Sequence, residues 1–406
     1  MPEIKSLDSI HKGAKGPLLK QSALFLHGGI RNNIGGHVID YNSTRLIKFL
    51  YDGKLSEAYD HILKSPSSVN DRDVKCNFPA IALAAGVTES SSIIDFMLEK
   101  GVEVDSCCLH GNTALRESCL STDINVTRLL IKKGANINKQ NSLGETALYV
   151  ACQRGNLEIA KLLVANGAKF NERTFSGASN LTGAVSFNQI EVVRWLIENK
   201  ENVNMQNSKL ATPLMIAVQK GYKELVQILI DSEADVTIPM KGGFSPLYSA
   251  VQFEQYELCR TLIQAGGLVN QLSDRGFSPL FYAAQKGNLP IFDLLVRYGG
   301  NLGYKYKEKY TLADYAKKYN HVHILEYLKD LSKDMIATTL DNGLPIGWSI
   351  RKHPDGQIYY INNKTKTIQD TLPIAGAVSS PITSKHRAPL PVTVSAPSIT
   401  VHQTGF

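Results

Sequence analysis

The feature that most constrains this chain is a period of 33 residues, carried by Leu115, Leu148, Leu181, Leu214, Leu247 and Leu280. Two further columns keep the same register. One holds Asn138, Asn171, Asn204, Thr237, Asn270 and Gly303; the other holds Ser118, Ala151, Ala184, Ala217, Ala250, Ala283 and Ala316. A fixed period of this length marks a stacked repeat: one unit cannot bury its own apolar face, and its neighbours complete the core. Stacking also explains how 406 residues can fold without one large compact core.

The unit can be read from one copy. In Ala211-Thr212-Pro213-Leu214-Met215-Ile216-Ala217, the Thr212 hydroxyl is placed to cap a helix and Pro213 suits its first turn. Ser245-Pro246-Leu247 and Ser278-Pro279-Leu280 repeat the device. The small Ala217 and Ala250 let this helix lie close to its neighbour. Gly155, Gly221 and Gly287 then stop it. A second helix follows, with Leu225, Val226, Ile228, Leu229 and Ile230 at helical spacing. It ends at Asp231-Ser232-Glu233, and an extended finger returns to the next cap.

These residues resemble ankyrin repeats through the period, the Thr-Pro-Leu or Ser-Pro-Leu start and the Gly134 to Asn138 turn. The expected fold class is mainly α, a solenoid with a helix-turn-helix and a β-finger in each repeat. The array is expected over 44–333, with a divergent first copy at Pro79 to Asp105 and a polar cap starting at Thr311. Residues 44–70 read as a degenerate helix pair, and 1–43 as a partly disordered lead.

A second pattern opens at Leu344-Pro345-Ile346-Gly347-Trp348. Pro354-Asp355-Gly356 and Asn362-Asn363-Lys364-Thr365 are turn signals around the strand-like Tyr359-Tyr360-Ile361. The segment 343–374 is similar to a WW domain, which implies a small three-stranded antiparallel sheet. Carried over residue by residue, the resemblance makes Pro345, Trp348, Tyr360 and Pro373 the structural buckle. In the ligand groove Tyr359 fits, but Asp370 stands where the family has its second Trp, and Asn363 stands for its His. A carboxylate offers no flat face to a proline ring, so proline-motif binding is expected to be weak or absent. Residues 375–406, rich in Pro, Ser and Thr, read as a disordered tail.

Composition narrows the function. The hydrophobic share of 43% and charged share of 20% are those of a folded chain, and no 18 uncharged apolar residues run together. The N-terminus lacks the apolar core of a secretory signal. The cysteines Cys76, Cys107, Cys108, Cys119, Cys152 and Cys259 contain no CxxC pair, which suits reduced thiols. A cytoplasmic protein with nuclear access is the resulting expectation. The net charge of +7 is scattered rather than gathered in tails, and favours acidic partners. His27-Gly28-Gly29 lacks a nucleophile elbow, and Gly13-Ala14-Lys15-Gly16 lacks the rest of a phosphate loop. His321 and His323, two apart on a helix, are poorly spaced for one metal. No nucleophile, base and oxyanion donor assemble, so no catalysis, cofactor, metal, small-molecule ligand or membrane anchor is expected.

The resemblance implies a partner on the concave face of fingers and first helices, and the register names its residues. Before the caps stand Ala211, Phe244, Phe277 and Tyr310; at the fingertips, Leu143, Phe175, Lys209, Lys241, Arg275 and Lys307; at the first-helix ends, Arg154, Phe187, Lys220, Phe253 and Lys286. Only Glu145, Asp274 and Glu308 oppose the cations. Aromatics flanked by Lys and Arg are the residue types of protein hot spots. The leading expectation is an intracellular adaptor for an acidic or aromatic-rich protein segment. The alternatives are a nucleic-acid-associated protein using the basic face, or a substrate-recognition subunit of a ubiquitin ligase or other enzyme complex.

Overall fold

The computed structural model describes residues 44–337 and three strands at 348–352, 358–362 and 368–369. The expectations for 1–43, for Pro345, Asn363, Asp370 and Pro373, and for 375–406 lie outside the described residues.

Eighteen α-helices among the described residues follow one another in pairs. These are α1 (Arg45–Tyr51) and α2 (Leu55–Lys64), α3 (Ala80–Ala85) and α4 (Ser91–Glu99), α5 (Ala114–Ser118) and α6 (Ile124–Lys132). Next come α7 (Ala147–Arg154) and α8 (Leu157–Ala165), α9 (Asn180–Ser186) and α10 (Ile190–Glu198), α11 (Pro213–Lys220) and α12 (Lys223–Asp231). The last are α13 (Pro246–Gln252) and α14 (Tyr256–Gln264), α15 (Pro279–Lys286) and α16 (Leu289–Arg297), α17 (Leu312–Lys318) and α18 (Val322–Ala337). Each first helix packs on its own second helix and on the first helix of the next pair.

The sequence columns have physical roles. The hydroxyls of Thr113, Thr146, Ser179, Thr212, Ser245, Ser278 and Thr311 each accept the N–H three residues on, at 3.1–3.3 Å. These bonds satisfy N–H groups that a helix start leaves without partners. The divergent copy has Pro79 at this point and no side-chain cap; Ala80 N–H donates instead to Asp71 O, at 3.0 Å. Gly155, Gly221 and Gly287 close their helices at φ of 79°, 73° and 74°, where a side chain would be strained. The leucine column is buried, as are the alanines that let adjacent first helices approach. Ser118 breaks the alanine column, and its hydroxyl is satisfied by Thr127 Oγ1 and Leu115 O.

The asparagine column staples neighbouring turns. Asn138 donates to Gly167 O (3.0 Å) and accepts from Lys169 N–H (2.9 Å). Asn270 repeats both bonds, to Gly299 O (2.9 Å) and from Asn301 N–H (2.8 Å). Asn204 accepts from Asp235 N–H (2.8 Å).

Beyond the array, β1 (Trp348–Lys352), β2 (Ile358–Asn362) and β3 (Ile368–Gln369) form an antiparallel sheet in chain order. Ile350 pairs with Tyr360, Arg351 with Tyr359, and Ile361 with Ile368.

Candidate protein-binding face

The fingers are short hairpins closed by backbone bonds such as Asn141 N–H to Glu145 O, Thr174 N–H to Ala178 O and Ser273 N–H to Phe277 O. Their tips are joined in a ladder. Ser142 N–H donates to His110 O, Phe175 to Leu143, Ser208 to Ser176, Lys241 to Lys209 and Asp274 to Gly242, at 2.8–3.0 Å. Sequence spacing alone therefore brings residues from distant repeats into one hydrogen-bonded ridge.

That ridge is not uniform. Its first four tips carry Val74, Leu109, Leu143 and Phe175, which are 59%, 70%, 40% and 71% exposed. Its last four carry Lys209, Lys241, Arg275 and Lys307, all exposed. Among the described residues no ion pair engages any of these four cations. Lys75, beside Val74, Leu210, exposed beside Lys209, and Asp274 and Glu308, beside Arg275 and Lys307, depart from the division.

The predicted residues do not all share one fate. Phe253, Tyr310, Lys220 and Lys286 are exposed along with the tips, whereas Ala211 is buried. Arg154, Phe187, Phe244 and Phe277 are half-buried. Phe244 lies on Tyr248, with ring centroids 4.9 Å apart. Phe277 sits 4.4 Å from Tyr306 and also meets Phe281 and Tyr315. These rings are part of the packing, because they cover the otherwise open edge of the last fingers.

Glu145 does not oppose the cations of the face. Arg116 reaches Glu117 Oε1 at 2.8 Å with one nitrogen and Glu145 Oε2 at 2.7 Å with another. Asn141 donates to the same Glu145 oxygen. Burial pushes the Glu117 carboxyl up, with Arg116 pulling the other way. Burial also works against the Arg116 charge, but Glu117 and Glu145 more than offset it, and its pKa rises. Arg154 stands near this cluster, and burial first, then Arg116, lowers its pKa. Arg116 and Glu117 were not among the predicted residues. The Arg116 column otherwise holds Tyr149, Thr182, Met215, Tyr248, Phe281 and Asp314, and the Glu117 column Val150, Gly183, Ile216, Ser249, Tyr282 and Tyr315, so periodicity could not single them out.

At the other end, Phe277, Phe281, Tyr304, Tyr306, Tyr310, Tyr315 and Tyr319 form a continuous ring cluster. Lysines lie over its outer faces: Lys307 over Tyr306 and Lys309 over Tyr310, both at 5.4 Å, and Lys318 over Tyr319, also at 5.4 Å. Tyr315, surrounded by burial and by three other tyrosines, has its phenol pushed up to about 12. His321 and His323 do not converge on a site; their Nε2 atoms face Gln285 O and Gly287 O at 2.8 and 2.6 Å. No cluster of metal-ligating side chains and no helix long and apolar enough to cross a membrane occurs among the described residues.

No curated protein matches the chain. Among solved structures, the crystal structure of human ASB11 ankyrin repeat domain is similar, at 24% identity and a TM-score of 0.45, over 49% of this chain and 89% of that one. Residues 81–174, 138–207 and 181–271 match the family described as ankyrin repeats (3 copies), and residues 275–307 match the ankyrin repeat. No family match reaches the three strands. The matched segments span more than half of the chain, which belongs to the ankyrin-repeat proteins.

Proposed function

We propose that this protein is an intracellular, non-enzymatic adaptor that holds an acidic segment of a partner protein on the C-terminal half of its concave face. The observation that carries this reading is the row of exposed cations from Lys209 to Lys307, flanked by Lys286 and Lys309. Among the described residues no ion pair takes them up. A fold that pairs Arg116 internally yet leaves this row in water keeps its attraction for a ligand. The tyrosine cluster beneath supplies flat apolar area close to the charges, the combination used at protein hot spots.

The test is a titration of the full chain with a fluorescent Glu- and Tyr-rich peptide at two salt concentrations, with polyuridylate as competitor. The reading predicts saturable peptide binding with a modest salt slope. Binding of polyuridylate alone, with a steep log–log slope, would assign the face to nucleic acid instead.

The strands at 348–369 fit a WW-like module with an impaired groove. Positions 348 and 360 lie on one face of the sheet and 359 on the other, which supports a reading with a buckle on one side and a groove on the other. The full chain should not bind a PPxY-type peptide tighter than about 1 mM. Asp370→Trp should create measurable binding, and Asn363→His should add to it when the peptide ends in tyrosine. Tight binding by the natural sequence would overturn this assignment.

A further inference from the structure

We infer that the fingertip ridge is a two-part rail for one extended protein segment, gripping apolar side chains on its N-terminal half and acidic ones on its C-terminal half. The inference rests on the proposed reading that this face binds protein, and adds the pattern of the partner.

The division of the ridge is carried by exposure. Val74, Leu109, Leu143 and Phe175 are large, apolar and solvent-facing at four successive tips. Folding does not need them there: the core of each repeat is formed by the leucine and alanine columns. Apolar groups exposed in series on one edge mark an interaction surface rather than scattered surface residues. From Lys209 onward each finger carries one cation at its tip, Lys209, Lys241, Arg275 and Lys307, with Leu210 exposed beside the first and the carboxylates of Asp274 and Glu308 beside the last two. A ligand satisfying both halves must itself be divided.

The ladder sets the spacing. From tip to tip the chain takes one hydrogen-bonded cross-strand step of about 5.5 Å and one Cα–Cα step of about 3.8 Å. Adjacent tips therefore stand roughly 9 Å apart. A segment in the polyproline II conformation rises about 3.1 Å per residue with three residues per turn, so every third residue faces a tip and about 20 residues span the eight. The partner pattern is thus an apolar residue at every third position over about ten residues, then an acidic one at every third position. A duplex or single-stranded nucleic acid would satisfy the basic half but find nothing in the apolar half.

The experiment uses the full chain and three synthetic peptides of about 20 residues, the span set by the ladder. One has Leu at every third position in one half and Glu in the other. A second has the same composition with Leu and Glu alternating. The third is the acidic half alone. The rail predicts that the divided peptide binds at least about tenfold tighter than either other one, because the second half engages at high local concentration. Leu109→Ser with Phe175→Ser should remove that advantage and leave the salt slope unchanged. Lys241→Glu with Arg275→Glu should weaken the divided and acidic peptides together and flatten the salt slope. Circular dichroism melts confirm that the exposed changes leave the array folded. If the divided peptide gains nothing over the acidic half, the rail is wrong while the proposed function stands. If the acidic half does not bind either, both fail. Competition by polyuridylate stronger than by the divided peptide also overturns the rail.

Discussion

The two halves of the finger-and-first-helix face are built on the same backbone and use their side chains in opposite ways. In the N-terminal half the charges are inside, with Arg116 bound to Glu117 and Glu145, and the apolar residues Leu109 and Phe175 stand in water. In the C-terminal half Phe244 and Phe277 are packed, the latter on Tyr306 and Phe281, and the cations stand in water with Phe253 and Tyr310. One repeat position shows the inversion: before the cap it holds Glu145, then Ala178 and Ala211, then Phe244, Phe277 and Tyr310. The lesson is that residue type alone does not say what is available to a partner. An arginine on this face can be spent on the fold and a phenylalanine left exposed.

The sharpest way to break the comparison is Arg116→Ala. It leaves the buried Glu117 without its cation and should cost about 3–5 kcal/mol. A urea melt showing less than about 1 kcal/mol would mean that the network is solvated rather than buried. The loss should depend on pH. The folded Glu117 carboxyl stands above its ordinary value because of burial, and removing Arg116 raises it further. Such a group contributes fully below its unfolded pKa and loses that contribution as pH rises through the folded one. The deficit of the variant should therefore be smallest in acid and largest at neutral pH.

Next in size is the pair Phe277→Ala and Phe175→Ala. The first opens the ring cluster and should cost about 2–4 kcal/mol. The second removes an exposed tip and should stay within about 0.5 kcal/mol. Equal effects would erase the distinction between structural and available aromatics. Thr212→Ala, which deletes one cap in the middle of the stack, should cost about 1 kcal/mol by the same melts. Smallest on stability is Lys309→Ala, within about 0.5 kcal/mol. It should weaken the acidic peptide roughly two- to fivefold, the scale of an exposed charge pair.

Much of the fold was legible because the 33-residue period acts on backbone roles. Caps such as Thr212, C-terminal glycines such as Gly221 and the leucine column each need one residue type, so their recurrence shows in the letters. Leu143, Phe175, Lys209, Lys241, Arg275 and Lys307 fell at fingertips by the same register, whereas Val74 and Leu109 were not singled out because their fingers belong to the divergent N-terminal end. Side-chain availability was not legible. Phe277 is half-buried because Tyr306 folds back on it from the next finger, and Glu145 is neutralised by Arg116 across 29 residues. Those contacts join different columns, and a register compares each column only with itself. Gly183 is a further case: a Cβ there would stand 2.8 Å from the Tyr149 ring of the preceding repeat, a constraint that its own column does not announce.

The central claim is that the C-terminal cations are held ready for an acidic partner while the N-terminal charges are spent on the fold. Lysine acetylation of the full chain, mapped by mass spectrometry with and without the acidic peptide, tests it most directly. The account predicts fast labelling of Lys209, Lys241, Lys286, Lys307 and Lys309 in the free protein, and protection confined to them when the peptide is added. Protection spread evenly along the array, or centred on lysines before residue 180, would contradict it.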